Sequence, residues 1–146
     1  MSIYFYKVAE PYGCFSNFSY HGFQVDGKFW RTSEHYFQAQ KFVGTLHEEE
    51  IRNAGTAIQA AKMGRDRKRP LRKDWDEVKD DIMRKAVLNK FMQNEDIKQV
   101  LLETKGEEII EQTTTDYYWG CGDDGTGKNM LGKILKEVRE SLNGGE

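Results

Sequence analysis

The chain has 146 residues, of which 32% are charged and 12% aromatic, and its formal net charge at pH 7 is -2. This length suits one domain, residues 1–146, and the composition argues against disorder. No run approaches the roughly 20 apolar residues of a membrane span. The two cysteines, Cys14 and Cys121, form no CxxC pair, and the chain opens without a secretory signal pattern. We therefore expect a cytoplasmic protein without a membrane partner.

Strand signals occur in three places. Residues 3–7 are rich in aromatic and β-branched side chains, and residues 22–30 alternate apolar and polar ones. Asp26-Gly27 in the second segment is typical of a two-residue hairpin turn. A further short strand is predicted within residues 106–113.

Capping residues followed by apolar residues at helical spacing predict five helices. The predicted helices run from Thr32 or Ser33 to about Phe42, from Thr56 to near Gly64, from Asp74 to Phe91, from Asn94 to Leu102, and from Met130 to Leu142. Strands and helices do not alternate, which argues against a doubly wound parallel sheet. The predicted fold class is α+β, a mainly helical single domain with a few short strands, including an N-terminal strand and a hairpin.

The segment EHYFQAQKF, residues 34–42, places three polar groups on one side of a helix. Glu34, Gln38 and Lys41 lie at positions i, i+4 and i+7 and therefore share a face. A carboxylate, an amide and an ammonium group beside bulky aromatic residues are typical of a pocket wall. A solvated charge network would show the same pattern, so both interpretations stay open.

A basic stretch ends at a tryptophan. Seven basic and two acidic residues lie between Lys62 and Asp74, and Trp75 follows directly. A local positive patch suits phosphate groups, and an aromatic residue beside it suits the stacking of a base. The alternatives are a solvated loop for the basic stretch and a core position for Trp75, which shares a helix face with Val78 and Ile82.

The segment DYYWGCGDDGTGKN, residues 116–129, contains a literal GxGxxG pattern and most of a P-loop pattern. A dinucleotide site needs a βαβ unit and a carboxylate about 20 residues further on. A P-loop needs Ser or Thr at the position of Asn129, and Asp123 and Asp124 would repel phosphates. What remains is a glycine-rich loop before a helix, either an anion site or a turn. The histidines and cysteines show no metal-ligand spacing, so neither a metal nor a cofactor is expected.

Taken together, these segments resemble the NADAR family and, within it, the YbiA-like proteins. The resemblance runs from about Gly13 to Leu142. It rests on five ordered blocks, namely FSNF (15–18), VDGKFWRTSEHYFQAQKF (25–42), MGRDRKRPLRKDW (63–75), MRKAVLNKF (83–91) and DYYWGCGDDGTGKNMLG (116–132).

The resemblance implies an N-glycosidase that hydrolyses the bond between ribose C1 and an amine nitrogen. Its implied substrates are phosphorylated ribosylamino-pyrimidine intermediates of riboflavin biosynthesis or, alternatively, guanine bearing ADP-ribose in nucleotides or nucleic acid. Two alternatives lack turnover: a binding module for ADP-ribose or NAD derivatives, and a nucleic-acid-binding protein that uses the basic stretch.

The resemblance also implies roles for individual residues. The family's essential residues match Glu34, Trp75 and Asp116. We expect Glu34 to act as the acid/base group, Asp116 to orient a hydroxyl or water or to stabilise positive charge, and Trp75 to stack on the base. Lys28 and Lys41 are candidates for a Schiff base with an open-chain ribose. The remaining predicted substrate contacts are Asn17, Gln38, Arg65, Arg69, Trp119, Gly120 and Asn129, with the two arginines on the phosphate.

Overall fold

The structure, a computed structural model, describes residues 2–144. Within this range it contains six α-helices and four short strands in two small sheets, which confirms the predicted α+β, mainly helical fold. The strands are β1 (Ser2–Phe5), β2 (Phe23–Val25), β3 (Lys28–Trp30) and β4 (Glu108–Glu111). The helices are α1 (Ser33–Gln40), α2 (Leu46–Arg52), α3 (Ala57–Gly64), α4 (Trp75–Gln93), α5 (Glu95–Glu103) and α6 (Met130–Gly144). None of the helices in the described range is long and apolar enough to cross a membrane.

The strands form two separate pairs. β2 and β3 make the predicted antiparallel hairpin. Asp26 and Gly27 both have positive φ, 53° and 81°, as a type I′ turn requires. The predicted strand within residues 106–113 is β4, which pairs in parallel with β1 so that Phe5 lies opposite Glu111. This second pairing joins the N-terminal strand to a segment that lies far along the chain, just before the loop that leads to α6, and it brings Glu111 beside β1.

Two of the predicted helix caps are confirmed. The hydroxyl oxygens of Thr32 and Thr56 each accept a backbone N–H from three residues on, at 3.0 and 3.1 Å. Asp74 stands at the N-cap position of α4 but makes no cap hydrogen bond, because Arg72 holds its carboxylate at 2.6 and 3.0 Å. The short helix α2 was not predicted, because Ile51 is its only buried apolar residue and no helical periodicity results.

The core consists of two clusters, and α1 lies between them. The larger cluster joins β1 and β4 to α4, α5 and α6, and the smaller one lies behind the hairpin. Phe37 of α1 belongs to the larger cluster, and Tyr36 and Ala39 belong to the smaller one. As a result, α1 is buried along almost its whole length, from Ser33 to Ala39. Its polar face is therefore a wall inside the protein, and the alternative of a solvated charge network is wrong.

Candidate active site

A cavity of about 430 Å³ opens between α1, the start of α4 and the loop after β4. This volume lies within the range of small-ligand pockets, roughly 300–1,000 Å³. Three kinds of side chain dominate its walls. The carboxyls are Glu34, Glu111 and Asp116, the cations are Lys41, Arg65 and Lys79, and the aromatic residues are Tyr6, Phe18, Phe37, Trp75, Tyr118 and Trp119.

Glu34 stands in the first turn of α1 and is only 7% exposed. Its backbone N–H donates to Asn17 O at 3.0 Å, and its Oε2 accepts from Gln38 Nε2 at 2.8 Å. Burial raises the pKa of Glu34, and the hydrogen bond from Gln38 and the charges of Arg65 and Lys41 act against this rise. The carboxylate of Glu34 is therefore a stronger base than that of an exposed glutamate.

The amide of Gln38 is held in one place by its neighbours. Its Nε2 is bound to Glu34, and its Oε1 is buried with no hydrogen-bond partner among residues 2–144. Gly64 of α3 lies against this amide, because a Cβ at Gly64 would come within 1.9 Å of Gln38 Oε1. A glycine at position 64 therefore lets α1 and α3 approach closely enough to fix the group that orients Glu34.

Asn17 and Asp116 complete the predicted polar wall. Asn17 Oδ1 accepts from Ser33 Oγ at 2.8 Å, which ties the loop that contains Asn17 to α1. Asp116 Oδ1 accepts from the backbone N–H groups of Tyr118 and Trp119, at 3.0 and 2.8 Å. The other carboxylate oxygen, Oδ2, makes no hydrogen bond to the described residues and is available to a ligand.

Trp75 has the core position that was one interpretation of its sequence, and it also borders the cavity, where the stacking of a base stays a prediction. It is 8% exposed and packs edge-on against Phe37, with ring centroids 5.0 Å apart, and it also lines the cavity. Trp119 contacts Phe37 from another side at 5.3 Å. Lys41 Nζ lies 5.7 Å from the Trp75 ring centroid. The two indoles thus give the cavity an aromatic wall beside a cation.

The structure separates the two candidate lysines. Lys41 lines the cavity, and its Nζ donates to Gly64 O at 3.2 Å. Burial lowers the pKa of Lys41, while the charge of Glu34 acts in the opposite direction. Lys28 lies on β3, away from the cavity walls, where its Nζ donates to Glu49 at 2.9 Å. That hydrogen bond raises the pKa of Lys28, which makes the amine a poorer nucleophile at neutral pH.

Of the basic stretch, only Arg65 reaches the cavity. Arg69 instead donates to Glu50 at 2.5 Å and contacts His47 at 2.8 Å, outside the cavity. Sequence reasoning missed Lys79, whose Nζ lies 4.2 Å from the ring centroid of Tyr118. The signal was present, because Lys79 follows Trp75 by four residues on the same helix and therefore shares its face.

Gly120 and Asn129, predicted to contact the substrate, lie outside the cavity walls. The Asn129 side chain is committed to β4, because its Nδ2 donates to Ile109 O at 2.8 Å and its Oδ1 accepts from Glu111 N at 3.0 Å. A Cβ at Gly120 would lie 2.3 Å from Thr113 Oγ1, so this position packs too tightly for a larger residue. From Gly120 to Asn129 the loop thus supports β4, whereas Asp116, Tyr118 and Trp119 at its start line the cavity.

Glu111 is the main group that sequence reasoning missed. It is partly buried at the end of β4 and lines the cavity. Burial, Asp116 and Glu34 together raise its pKa to about 8. Strand alternation could have found it, because Glu111 is two residues after the buried Ile109 and so points to the same side of the strand. In the described range, no three His, Cys, Asp or Glu side chains are grouped so that they could hold a metal ion.

The chain is similar to two N-glycosidases. The chain is 52% identical over 145 residues to an N-glycosidase of Nostoc punctiforme, which is 97% of this chain and 93% of that protein. It is 51% identical over 140 residues to the N-glycosidase YbiA of Escherichia coli, which is 96% of this chain and 88% of that protein. The NMR structure of E. coli YbiA matches with a TM-score of 0.90 at 49% identity, covering 98% of this chain and 87% of that one.

A longer relative matches in part. A riboflavin biosynthesis protein of Vibrio vulnificus is 41% identical over 140 residues, which is 96% of this chain but 38% of that protein. Residues 4–143 match the model of the NADAR domain. The family model, the relatives at about 50% identity and the matching fold show that the chain belongs to the NADAR family.

Proposed function

We propose that this protein is an N-glycosidase that hydrolyses the bond between ribose C1 and the exocyclic amine of a small phosphorylated glycosylamine. Ribosylamino-pyrimidine intermediates of riboflavin biosynthesis are the proposed substrates. The observation that carries the proposal is the buried Glu34, held by Gln38 in a cavity that also presents cations and tryptophans. The names of the Nostoc and E. coli relatives support the activity, and the name of the Vibrio relative supports the pathway.

The cavity suits the three parts of such a substrate. Trp75 and Trp119 offer indole surfaces on which a pyrimidine can stack. The cations Arg65 and Lys79 offer positive charge to a ribose phosphate. Asp116 Oδ2 makes no hydrogen bond to a residue in the range 2–144, so it can accept one from a ribose hydroxyl or a water.

Glu34 is the proposed acid/base group. A glycosylamine can break through an oxocarbenium-like state at C1, as sugars do when they are hydrolysed between two carboxyl groups. A proton must leave the attacking water, and a buried carboxylate with a raised pKa is a stronger base for it than an exposed glutamate. The carboxylate of Asp116 at the same cavity stabilises positive charge that develops on the ribose.

A covalent route through Lys41 is the second proposed step. When the ribose ring opens, C1 becomes an imine carbon, which the Lys41 amine attacks. The base amine then leaves, a Schiff base remains on Lys41, and water hydrolyses it to free lysine and an open-chain ribose phosphate. The lowered pKa of Lys41 favours the neutral amine that this attack needs. The ion pair of Lys28 with Glu49 outside the cavity does not support Lys28 in this role.

The test is a mass-spectrometric turnover assay on two substrates, a ribosylamino-pyrimidine phosphate and an oligonucleotide with ADP-ribosylated guanine. Glycosylamines also hydrolyse without enzyme, so the folded Glu34→Gln protein is the matched blank. We expect the wild-type protein to release free pyrimidine amine and ribose phosphate much faster than this blank. If ADP-ribose is released from the oligonucleotide and the pyrimidine substrate is not cleaved, the protein is an ADP-ribosyl hydrolase instead. Tight binding of either substrate without release would make the protein a binding module.

We also propose a cytoplasmic location for the protein. Cys14 and Cys121 are both free thiols in the structure, as a reducing compartment favours.

A further inference from the structure

The three carboxyls of the cavity differ in the hydrogen bonds that they accept. Asp116 accepts two backbone N–H groups, and Glu34 accepts one side-chain amide. The Glu111 carboxyl makes no hydrogen bond or ion pair with any described residue, although it is partly buried. A carboxylate without a donor is costly to bury, whereas a protonated carboxyl costs much less. In the free protein, the surroundings of Glu111 therefore favour its protonated form, and no described donor opposes this.

The charged groups around the cavity act differently on Glu111 and on Glu34. Burial raises the pKa of Glu34, and the hydrogen bond from Gln38 and the cations Arg65, at the end of α3, and Lys41, at the end of α1, oppose that rise. At Glu111, burial and the nearby carboxyls of Asp116 and Glu34 all raise the pKa and so favour the protonated form. The other charged group at the cavity wall is Lys79 of α4, which is paired with Asp76 at 3.3 Å. Burial raises the pKa of both carboxyls, but a hydrogen-bond donor and two cations oppose this rise at Glu34 and none of them does so at Glu111. Two carboxyls whose surroundings act on them differently are the usual arrangement of an acid and a base.

The backbone of Glu111 is fixed on both sides. Its N–H donates to Asn129 Oδ1 at 3.0 Å, and its carbonyl oxygen accepts from Cys121 N at 2.9 Å. On the other edge, β4 pairs with β1, with Phe5 opposite Glu111. A side chain that starts from such a rigid strand end can hold one position relative to a bound substrate.

We propose that Glu111 is a second catalytic residue, which donates a proton to the departing amine nitrogen while Glu34 accepts the proton of the attacking group. The proposal rests on the glycosylamine hydrolysis proposed above. As the C1–N bond breaks, its electron pair stays on nitrogen, and the proton of Glu111 completes the free amine. Water adds to C1 and gives a proton to Glu34, and exchange with solvent returns each carboxyl to its starting state. In the route through Lys41, Glu111 makes the same donation to the leaving nitrogen.

The test compares Glu111→Gln with Glu108→Gln, a matched control on the same strand whose side chain is exposed. We measure kcat and KM for the ribosylamino-pyrimidine phosphate from pH 5 to 9. In the wild type and the control, kcat should fall as Glu111 loses its proton at alkaline pH. In Glu111→Gln, kcat at pH 7 should drop at least about 100-fold, KM should change little, and the alkaline fall should disappear.

A second measurement needs no turnover. In protein labelled with ¹³C at glutamate carboxyls, one resonance should titrate near pH 8, remain in Glu108→Gln, and vanish in Glu111→Gln. If the wild type turns over the substrate and kcat of Glu111→Gln lies within about threefold of the wild-type value, the catalytic role of Glu111 is overturned and the proposed function stands. Loss of the acidic limb of the profile instead of the alkaline one overturns its assignment as the acid. Failure of the wild type to release any amine overturns the proposed function itself.

Discussion

Replacing Glu111 with glutamine should stabilise the protein, and increasingly so as the pH rises. The surroundings of Glu111 raise its pKa from the ordinary value of 4.5 to about 8. Between these pH values the folded protein keeps a proton that the unfolded chain has released. The free energy of unfolding of the wild type therefore falls with rising pH, and this part of the fall ends above the folded-state pKa. Glu111→Gln cannot ionise and should lack this part of the fall.

The size of the effect follows from the pKa difference. Each pH unit between the two pKa values lowers the free energy of unfolding by about 1.4 kcal/mol. The gain in Glu111→Gln relative to the wild type should be below about 1 kcal/mol at pH 5 and should approach about 3 kcal/mol at pH 7. A gain of that size in a cavity residue would also show that the natural carboxyl is kept at a cost in stability.

The assay is urea unfolding followed by circular dichroism at pH 5, 6, 7 and 8, with linear extrapolation to water. Glu108→Gln is the control, because Glu108 is exposed on the same strand and its carboxylate makes a surface ion pair with Lys136 at 3.4 Å. Its difference from the wild type should stay within about 0.5 kcal/mol at every pH. If the Glu111→Gln difference is equally constant from pH 5 to 8, Glu111 titrates alike in the folded and unfolded states and the reasoning is refuted.

Four further predictions concern the cavity. Glu34→Gln should lower kcat at least about 100-fold with an unchanged circular-dichroism spectrum, and full activity in this folded variant would contradict the mechanism. Arg65→Glu should mainly raise KM, because a phosphate is held equally in the ground and transition states, whereas Arg69→Glu should keep a near-normal KM. Borohydride during turnover, followed by peptide mapping, should place a ribose-derived mass on Lys41 and none on Lys28. No adduct together with normal rates in Lys41→Met would leave direct attack by water. Activity should survive chelation, and loss that Zn²⁺ or Mg²⁺ restores would reveal a metal requirement.

Local interactions explain why much of the fold could be predicted. The hairpin turn depends on the backbone freedom of Asp26 and Gly27, and the caps at Thr32 and Thr56 depend on N–H groups three residues away. Such interactions join neighbours in the chain, so the sequence displays them directly. Asp74 shows the limit, because its carboxylate had an equally near partner in Arg72 and bound that instead.

The candidate site was predictable only where helical periodicity or the family resemblance reached it. The spacing of Glu34, Gln38 and Lys41 determined that they share a face, because a helix returns to the same side after about 3.6 residues. Periodicity does not say whether such a face meets water or protein. Two core clusters on either side of α1 decided that, and their burial of Glu34 is what raises its pKa.

Tertiary structure alone decided which of several similar side chains reach the cavity. The sequence offered Lys28 and Lys41 as equivalent amines, but Lys28 is paired with Glu49 on the hairpin side and Lys41 lines the cavity. Glu111 enters the site because β4 pairs with β1, a strand that lies far from it in the sequence. The residue types, the helix faces and the turns follow from short-range geometry, which the sequence contains. Burial, ion pairing and the pKa values depend on contacts between distant segments, which exist only once the chain has folded.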